Sequence, residues 1–334
     1  MPLRENANLR GVLLALAAFG VFATHDVIIK YLGGSLSPFQ IVFFSVLFGF
    51  PMVTFTLMRD PSHGNLRPVH PWWTAFRTAL VVVTGASAFY AFSALPLAQV
   101  YAILFAAPLL ITVIAVPVLG ERVGIRRAGA VLVGLGGVLV VLQPGATALT
   151  PGHVAALVAA VCGAFGAVIM RRIGREERTV VLILYPMMAN FVVMGLALPF
   201  VYRPMSGQDL ALLAVIAALA LVATNLLIFA YRAAAAATVA PMQYSQIIWA
   251  SVFGIVFFDE GLSTPTVIGT AIIVASGIYI VIREDRGGRS RTTPVLRTRS
   301  RIGSPSAPRV APFLPDSQRG AQHRSAPDAT HPAH

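Results

Sequence analysis

The chain has 334 residues, of which 57% are hydrophobic and only 11% charged, and its mean hydropathy is +0.77. Soluble domains carry about a quarter charged residues, so this composition excludes an ordinary soluble fold and points to lipid as the solvent. The net charge of +12 does not indicate nucleic acid, because eight of the 25 basic residues follow Gly287 and most others sit in short gaps between apolar stretches.

A helix needs about 20 mostly apolar residues to cross the hydrocarbon core, and it must satisfy its own backbone hydrogen bonds there. Ten such stretches are predicted. After a short N-terminal segment at 1–9, the first span covers 10–32 and carries His25, Asp26 and Lys30, the only lysine of the chain. Arg10 precedes an apolar run, as in a signal peptide, but the run is too long for a cleaved leader. Asp26 and Lys30 lie four residues apart and so on one helix face, where they can form an ion pair; alternatively Asp26, beside His25, titrates or meets substrate. The second span covers 38–58. The third, 72–94, opens on Trp72 and Trp73, a usual interfacial anchor. It also holds Arg77, which either snorkels to phosphates or binds an anionic group, and Tyr90.

The fourth span, 98–119, contains Gln99, Tyr101 and Pro108, and the fifth covers 126–143. The sixth, 152–170, repeats small residues at Ala155, Ala159, Gly163 and Ala167, which reads as a packing seam without chemistry. The seventh covers 179–202, and the eighth, 208–231, holds Asn225. The ninth, 239–258, has the densest polar cluster: Gln243, Tyr244, Ser245 and Gln246, with Pro241 before it and Trp249 after. A tryptophan in mid-span beside Gln and Tyr can form a stacking surface with hydrogen-bond donors, or bond helices to one another. The tenth covers 265–283. Residues 287–334 are rich in Pro, Arg, Ser and Ala and are expected to be a disordered cytoplasmic tail.

Arginines gather in alternate gaps. The stretches 59–71, 120–127, 171–178 and 232–238 hold ten of them, whereas the opposite gaps hold only Arg203. The positive-inside rule therefore predicts that both termini are cytoplasmic, in agreement with an even number of spans. The chain also looks duplicated. VPVLGER (116–122) ends the fourth span and VFFDEG (256–261) ends the ninth, which places Glu121 and Glu260 about 139 residues apart, each followed by a glycine-bearing helix. Five spans per copy is an odd number, so the second copy, 152–283, is upside down relative to the first, 10–143. Such inverted repeats bind substrate between the halves. The predicted fold class is an all-α integral membrane protein of ten transmembrane helices in two inverted five-helix repeats.

The segments THDVIIKYLGGSLSPFQIVFF (24–44), PLAQVYAILFAAPLL (96–110) and ATVAPMQYSQIIWASVFGIVFFDE (237–260), with the duplication, resemble the EamA branch of the drug/metabolite transporter superfamily. The first and last segments look nearest to members that take up S-adenosylmethionine. The resemblance implies alternating access about a central site lined by spans 1, 3, 4, 6, 8 and 9. In one place the chain departs from such members, which often carry arginine where Ser45 stands here. No P-loop, HExxH or GxSxG motif occurs, no cofactor is expected, and His63 and His70 make a poor metal site. The expected function is secondary transport of a small organic metabolite or drug, with that small molecule and the lipid bilayer as partners. Protonation of Asp26, beside His25, can couple transport to a proton gradient, and facilitated exchange without a proton carrier fits the sequence equally well. Both repeats lie in one chain, so the duplication forces no homodimer and excludes none. The competing readings are a lipid flippase and an intramembrane enzyme. The enzyme would need convergent acidic, His or Ser groups at one depth, where only His25 and Asp26 are found.

Overall fold

The computed structural model describes residues 2–58, 66–120, 124–145, 148–174, 176–234 and 236–286. Glu121, His63 and the tail 287–334 lie outside them. Among the described residues twelve helices are formed: α1 (Pro2–Gly33), α2 (Pro38–Met58), α3 (Pro71–Ala94), α4 (Leu97–Leu104), α5 (Ala107–Leu119), α6 (Ile125–Leu142), α7 (Pro151–Ile173), α8 (Thr179–Val201), α9 (Gly207–Ala233), α10 (Ala236–Val239), α11 (Ser245–Phe258) and α12 (Thr264–Arg286). A 3-10 turn, Ala240–Tyr244, separates α10 from α11. Among the described residues, eight helical stretches are long and apolar enough to cross a membrane, and Pro38–Pro51 is a shorter apolar helix.

Two of the ten expected spans are not continuous. The fourth divides into α4 and α5 at Phe105–Ala106, and the ninth divides into α10, the 3-10 turn and α11. Proline supplies the reason in both places. It has no N–H to donate, and its ring excludes the carbonyl four residues back. Pro108 therefore ends α4 at Leu104, and the chain tightens there, with the Ala106 N–H donating to the Ile103 carbonyl at 3.0 Å. Pro241 acts in the same way on the stretch after Val239, whose bonds shorten to the 3-10 pattern as far as Ser245.

The helix ends repeat as the interior breaks do. α5 stops at Gly120 (φ 68°) and α11 stops at Asp259 (φ 55°), both left-handed C-caps at the same place in each repeat. Such a cap turns the chain sharply and satisfies a last-turn carbonyl. Elsewhere capping boxes start α7, through Thr150 and His153, and α9, through Ser206 and Asp209.

Packing interlaces the two repeats. α1 lies along α9 and α11, and α7 lies along α3 and α5; α2 packs on α9 and α8 on α3. Exchanging the repeats converts each of these pairs into its partner, as an inverted duplication requires. The first helix of each copy is thus embedded in the other copy. α6 and α12 close the back of the bundle, where Gly137 and Gly269 face each other. A Cβ on Gly269 would stand 2.6 Å from the Gly137 carbonyl oxygen, so only glycine permits this backbone approach. Close approach of this kind drives helix association in lipid, where hydrophobic burial gives no net gain. On α7 the closely packed small residues are Ala156, Ala159, Ala160, Ala164 and Ala167, a wider seam than the single row expected, because α7 packs against both α3 and α5.

Candidate functional site

The two helix breaks meet. The Phe105 ring, at the first break, lies edge-on to the Tyr244 ring, at the second, with centroids 5.2 Å apart. Beside this contact α1 contributes His25 and Asp26, each 1% exposed. An ionised carboxylate so far from water is tolerated only when hydrogen-bond donors surround it. Here His25 Nδ1 lies 2.8 Å from Asp26 Oδ1, and the Tyr101 hydroxyl of α4 donates to Asp26 Oδ2. Gln246 of α11 reaches the same hydroxyl at 3.4 Å. Phe89 of α3 packs edge-on against the His25 ring at 6.3 Å. The polar chain thus links both broken helices to α1 and draws from both repeats.

One helical turn along α1, Lys30 makes its ion pair with Glu260 at 2.7 Å rather than along its own helix. Lys30 Nζ also donates to the Leu95 carbonyl at 2.5 Å and sits 5.3 Å from the centre of the Phe258 ring. The other Glu260 oxygen accepts the Leu97 N–H at 2.9 Å. Glu260 thereby joins the first repeat to the second at the turn that follows α11.

Trp249 stands one turn beyond Gln246 on α11, is 37% exposed, and lies against Gly20 of α1. A Cβ at residue 20 would be 3.3 Å from its indole, so the glycine sets how flat the ring can lie. Gln243 is half-buried on the 3-10 turn. Tyr244 is turned away from the Asp26 network: its hydroxyl packs into Gly277 of α12, where a Cβ would collide with it. Tyr90 on α3 and Asn225 on α9 are exposed on their helices, and Asn225 donates to the Leu221 carbonyl of its own helix at 2.9 Å.

Arg77 is placed apart from this group, and it does not snorkel. It is 3% exposed and donates to the Leu182 carbonyl of α8 at 2.9 Å. Pro186, four residues on, has no N–H for that carbonyl, and the guanidinium replaces the missing donor. Arg77 is twelve residues along α3 from Phe89, roughly 18 Å at 1.5 Å per residue. Ser45 is fully buried on α2, and its hydroxyl has no partner among the described residues. The same residues contain no group of three or more His, Cys, Asp or Glu side chains able to hold a metal ion.

Two repeats built alike, each broken in its fourth crossing segment, match the EamA-like transporter family over residues 9–143 and again over 150–283. The chain belongs to that family. Among its relatives, an S-adenosylmethionine uptake transporter of Rickettsia prowazekii (strain Madrid E) is 24% identical, over 85% of this chain and 96% of that protein. A riboflavin transporter of Rhizobium johnstonii is 29% identical over 74% and 80% respectively. A pseudopaline exporter of Pseudomonas aeruginosa is 25% identical over 81% and 93%. A solved crystal structure aligns with 86% of this chain and 99% of its own, with a TM-score of 0.54 at 19% identity, a likeness of fold alone. This EamA protein is a membrane transporter of small metabolites. Composition and periodicity do not single out Tyr101; its sequence signal is a tyrosine one turn before a proline-induced break. The partner Glu260 has no local signal at all.

Proposed function

We propose that the chain is a secondary transporter moving a small organic metabolite across a bacterial inner membrane by alternating access, and that it performs no enzymatic chemistry. Both termini face the cytoplasm in this reading, which the arginines of alternate gaps support. The observation that carries the reading is the meeting of the two helix breaks beside the buried Asp26 network. Broken helices leave backbone groups unpaired at the depth where a substrate binds.

The substrate carries a planar heteroaromatic group with polar or charged substituents. S-adenosylmethionine and riboflavin, named for two relatives, share that description. Trp249 offers the stacking face, with Gln243 and Gln246 one to two turns away as hydrogen-bond donors and acceptors. Asp26, with His25, carries the coupling proton. When ionised, the carboxylate holds Tyr101 and therefore α4; when protonated, it loses a charge-assisted bond and releases that helix. Uptake and export names both occur among the relatives, and the same cycle serves either direction.

A ligand of the folded state raises the melting temperature by mass action. The test is therefore the thermal stability of purified protein against S-adenosylmethionine, riboflavin, nucleosides, amino acids and cationic dyes. The expected result is a shift of several degrees with a heteroaromatic compound that disappears in Trp249→Ala. No shift with any compound, or one indifferent to Trp249, contradicts the proposed site.

A further inference from the structure

Lys30 lies in the last turn of α1, and its ion pair with Glu260 is largely enclosed, the two side chains being 12% and 15% exposed. Through the Leu95 carbonyl and the Leu97 N–H the pair ties together the end of α1, the turn between α3 and α4, and the end of α11. Gly254 makes room for it, since a Cβ there would stand 2.7 Å from Glu260 Oε2. The opposite face of the bundle carries a matching arrangement. Arg172 lies in the last turn of α7, donates to the Val118 carbonyl near the end of α5 at 2.5 Å, and stacks 4.7 Å from the centre of the Trp73 ring. α7 is the second repeat's counterpart of α1, and α5 is the first repeat's counterpart of α11. In each case a cation closing the first helix of one repeat grips the end of the other repeat's broken helix. Because the repeats are inverted, the two grips lie at opposite membrane faces.

We propose that Lys30–Glu260 is the outer latch of the transporter and that Arg172 on the end of α5 is its inner counterpart, the two releasing in alternation. This rests on the alternating-access reading above and names the residues that regulate access to its site. The latch residues are positioning groups and touch no substrate. Asp26 lies one turn below Lys30 on the same helix, and both connect to the same two neighbours: Asp26 reaches Tyr101 of α4 and, through it, Gln246 of α11, while Lys30 pairs with Glu260 past the end of α11 and, through it, connects to the Leu97 N–H of α4. Asp26 meets His25 from its own helix and Tyr101 from α4, and Gln246 of α11 reaches it through the Tyr101 hydroxyl. The uncharged Phe89 and Phe92 of α3 pack on the His25 and Tyr101 rings, and Lys30, one turn on, is held by Glu260. A swing of α1 away from α4 and α11 must break both sets at once, so the state of the Asp26 network and the state of the outer latch change together.

The latch is tested by accessibility in reconstituted vesicles, without any substrate. The single cysteine is removed with Cys162→Ser, and a reporter is introduced with Ala98→Cys, a buried position at the start of α4 beneath the latch. A membrane-impermeant maleimide is added from the face bearing Lys30. Loss of a charge-assisted pair shifts a two-state equilibrium by roughly tenfold. Glu260→Gln and Lys30→Met are therefore each expected to speed labelling by about that factor. Arg172→Ala is expected to slow it, because it frees the opposite face. The charge exchange, Lys30→Glu with Glu260→Lys, is expected to restore the parent rate. If Lys30→Met fails to fold, the near-isosteric Glu260→Gln and the charge exchange carry the same test. Parent-like labelling in Glu260→Gln overturns the latch. So does faster labelling in Arg172→Ala, which would mean general loosening. A chain that passes this test but binds none of the metabolites above loses the substrate reading and keeps the latch.

Discussion

Tyr101 holds the buried carboxylate of Asp26 from across the helix interface, and its loss has two separable effects. Leaving a buried acceptor short of a donor costs about 1–3 kcal/mol, so Tyr101→Phe is expected to lower the melting temperature by several degrees. It is also expected to change the pH dependence of transport, which a purely structural hydroxyl would not do. Tyr244 behaves differently. Its hydroxyl occupies the space over Gly277, so Gly277→Ala is expected to destabilise by about 1–3 kcal/mol, the usual cost of overpacking. Combining it with Tyr244→Phe should recover part of that loss in the same thermal measurement. Unchanged stability in Gly277→Ala would remove Tyr244 from that packing site. The spacing of Asp26 and Lys30 allows a pair within α1 as one of two readings, since local rules see only neighbours three or four residues away. The actual partner, Glu260, is more than two hundred positions distant. Arg77 misled in a similar way: its nearness to Trp72 suggested an interface, but the carbonyl that Pro186 frees on another helix draws it inward.

At the scale of the helices, hydropathy made the ten apolar stretches and their duplication legible, because length and apolarity are what lipid demands of a crossing segment. The breaks within the fourth and ninth stretches were not legible by that route. Hydropathy averages over a window and is blind to a missing backbone donor, although Pro108 and Pro241 marked both places. The caps that end α5 and α11 show the same repetition with unequal residues. Gly120 adopts its left-handed conformation freely, while Asp259 does so against the preference of its side chain. Gly120→Ala is therefore expected to cost about 1 kcal/mol. Asp259→Gly should be neutral or stabilising by up to about 1 kcal/mol. Both are read from thermal unfolding, and a destabilised Asp259→Gly would mean that its carboxylate contributes more than a turn.

Across the whole molecule, the interlaced repeats explain why a small change at Asp26 can be felt at a membrane face. α1 belongs to the first repeat by sequence but packs along α9 and α11 of the second, so it cannot tilt without shifting the boundary between the halves. Family membership was legible in the sequence because the resembling segments, 24–44, 96–110 and 237–260, contain the residues that build this boundary. Substrate identity was not, since flat aromatic surfaces and amide groups suit many heteroaromatic compounds. The most direct test of carrier function is counterflow in vesicles reconstituted with the purified protein. Labelled S-adenosylmethionine or riboflavin, whichever shifts the melting temperature, is added outside vesicles preloaded with the unlabelled compound. An alternating-access carrier predicts saturable entry that preloading accelerates, with Asp26→Asn insensitive to an imposed pH gradient. Entry that rises linearly with concentration and ignores the preload would contradict the account.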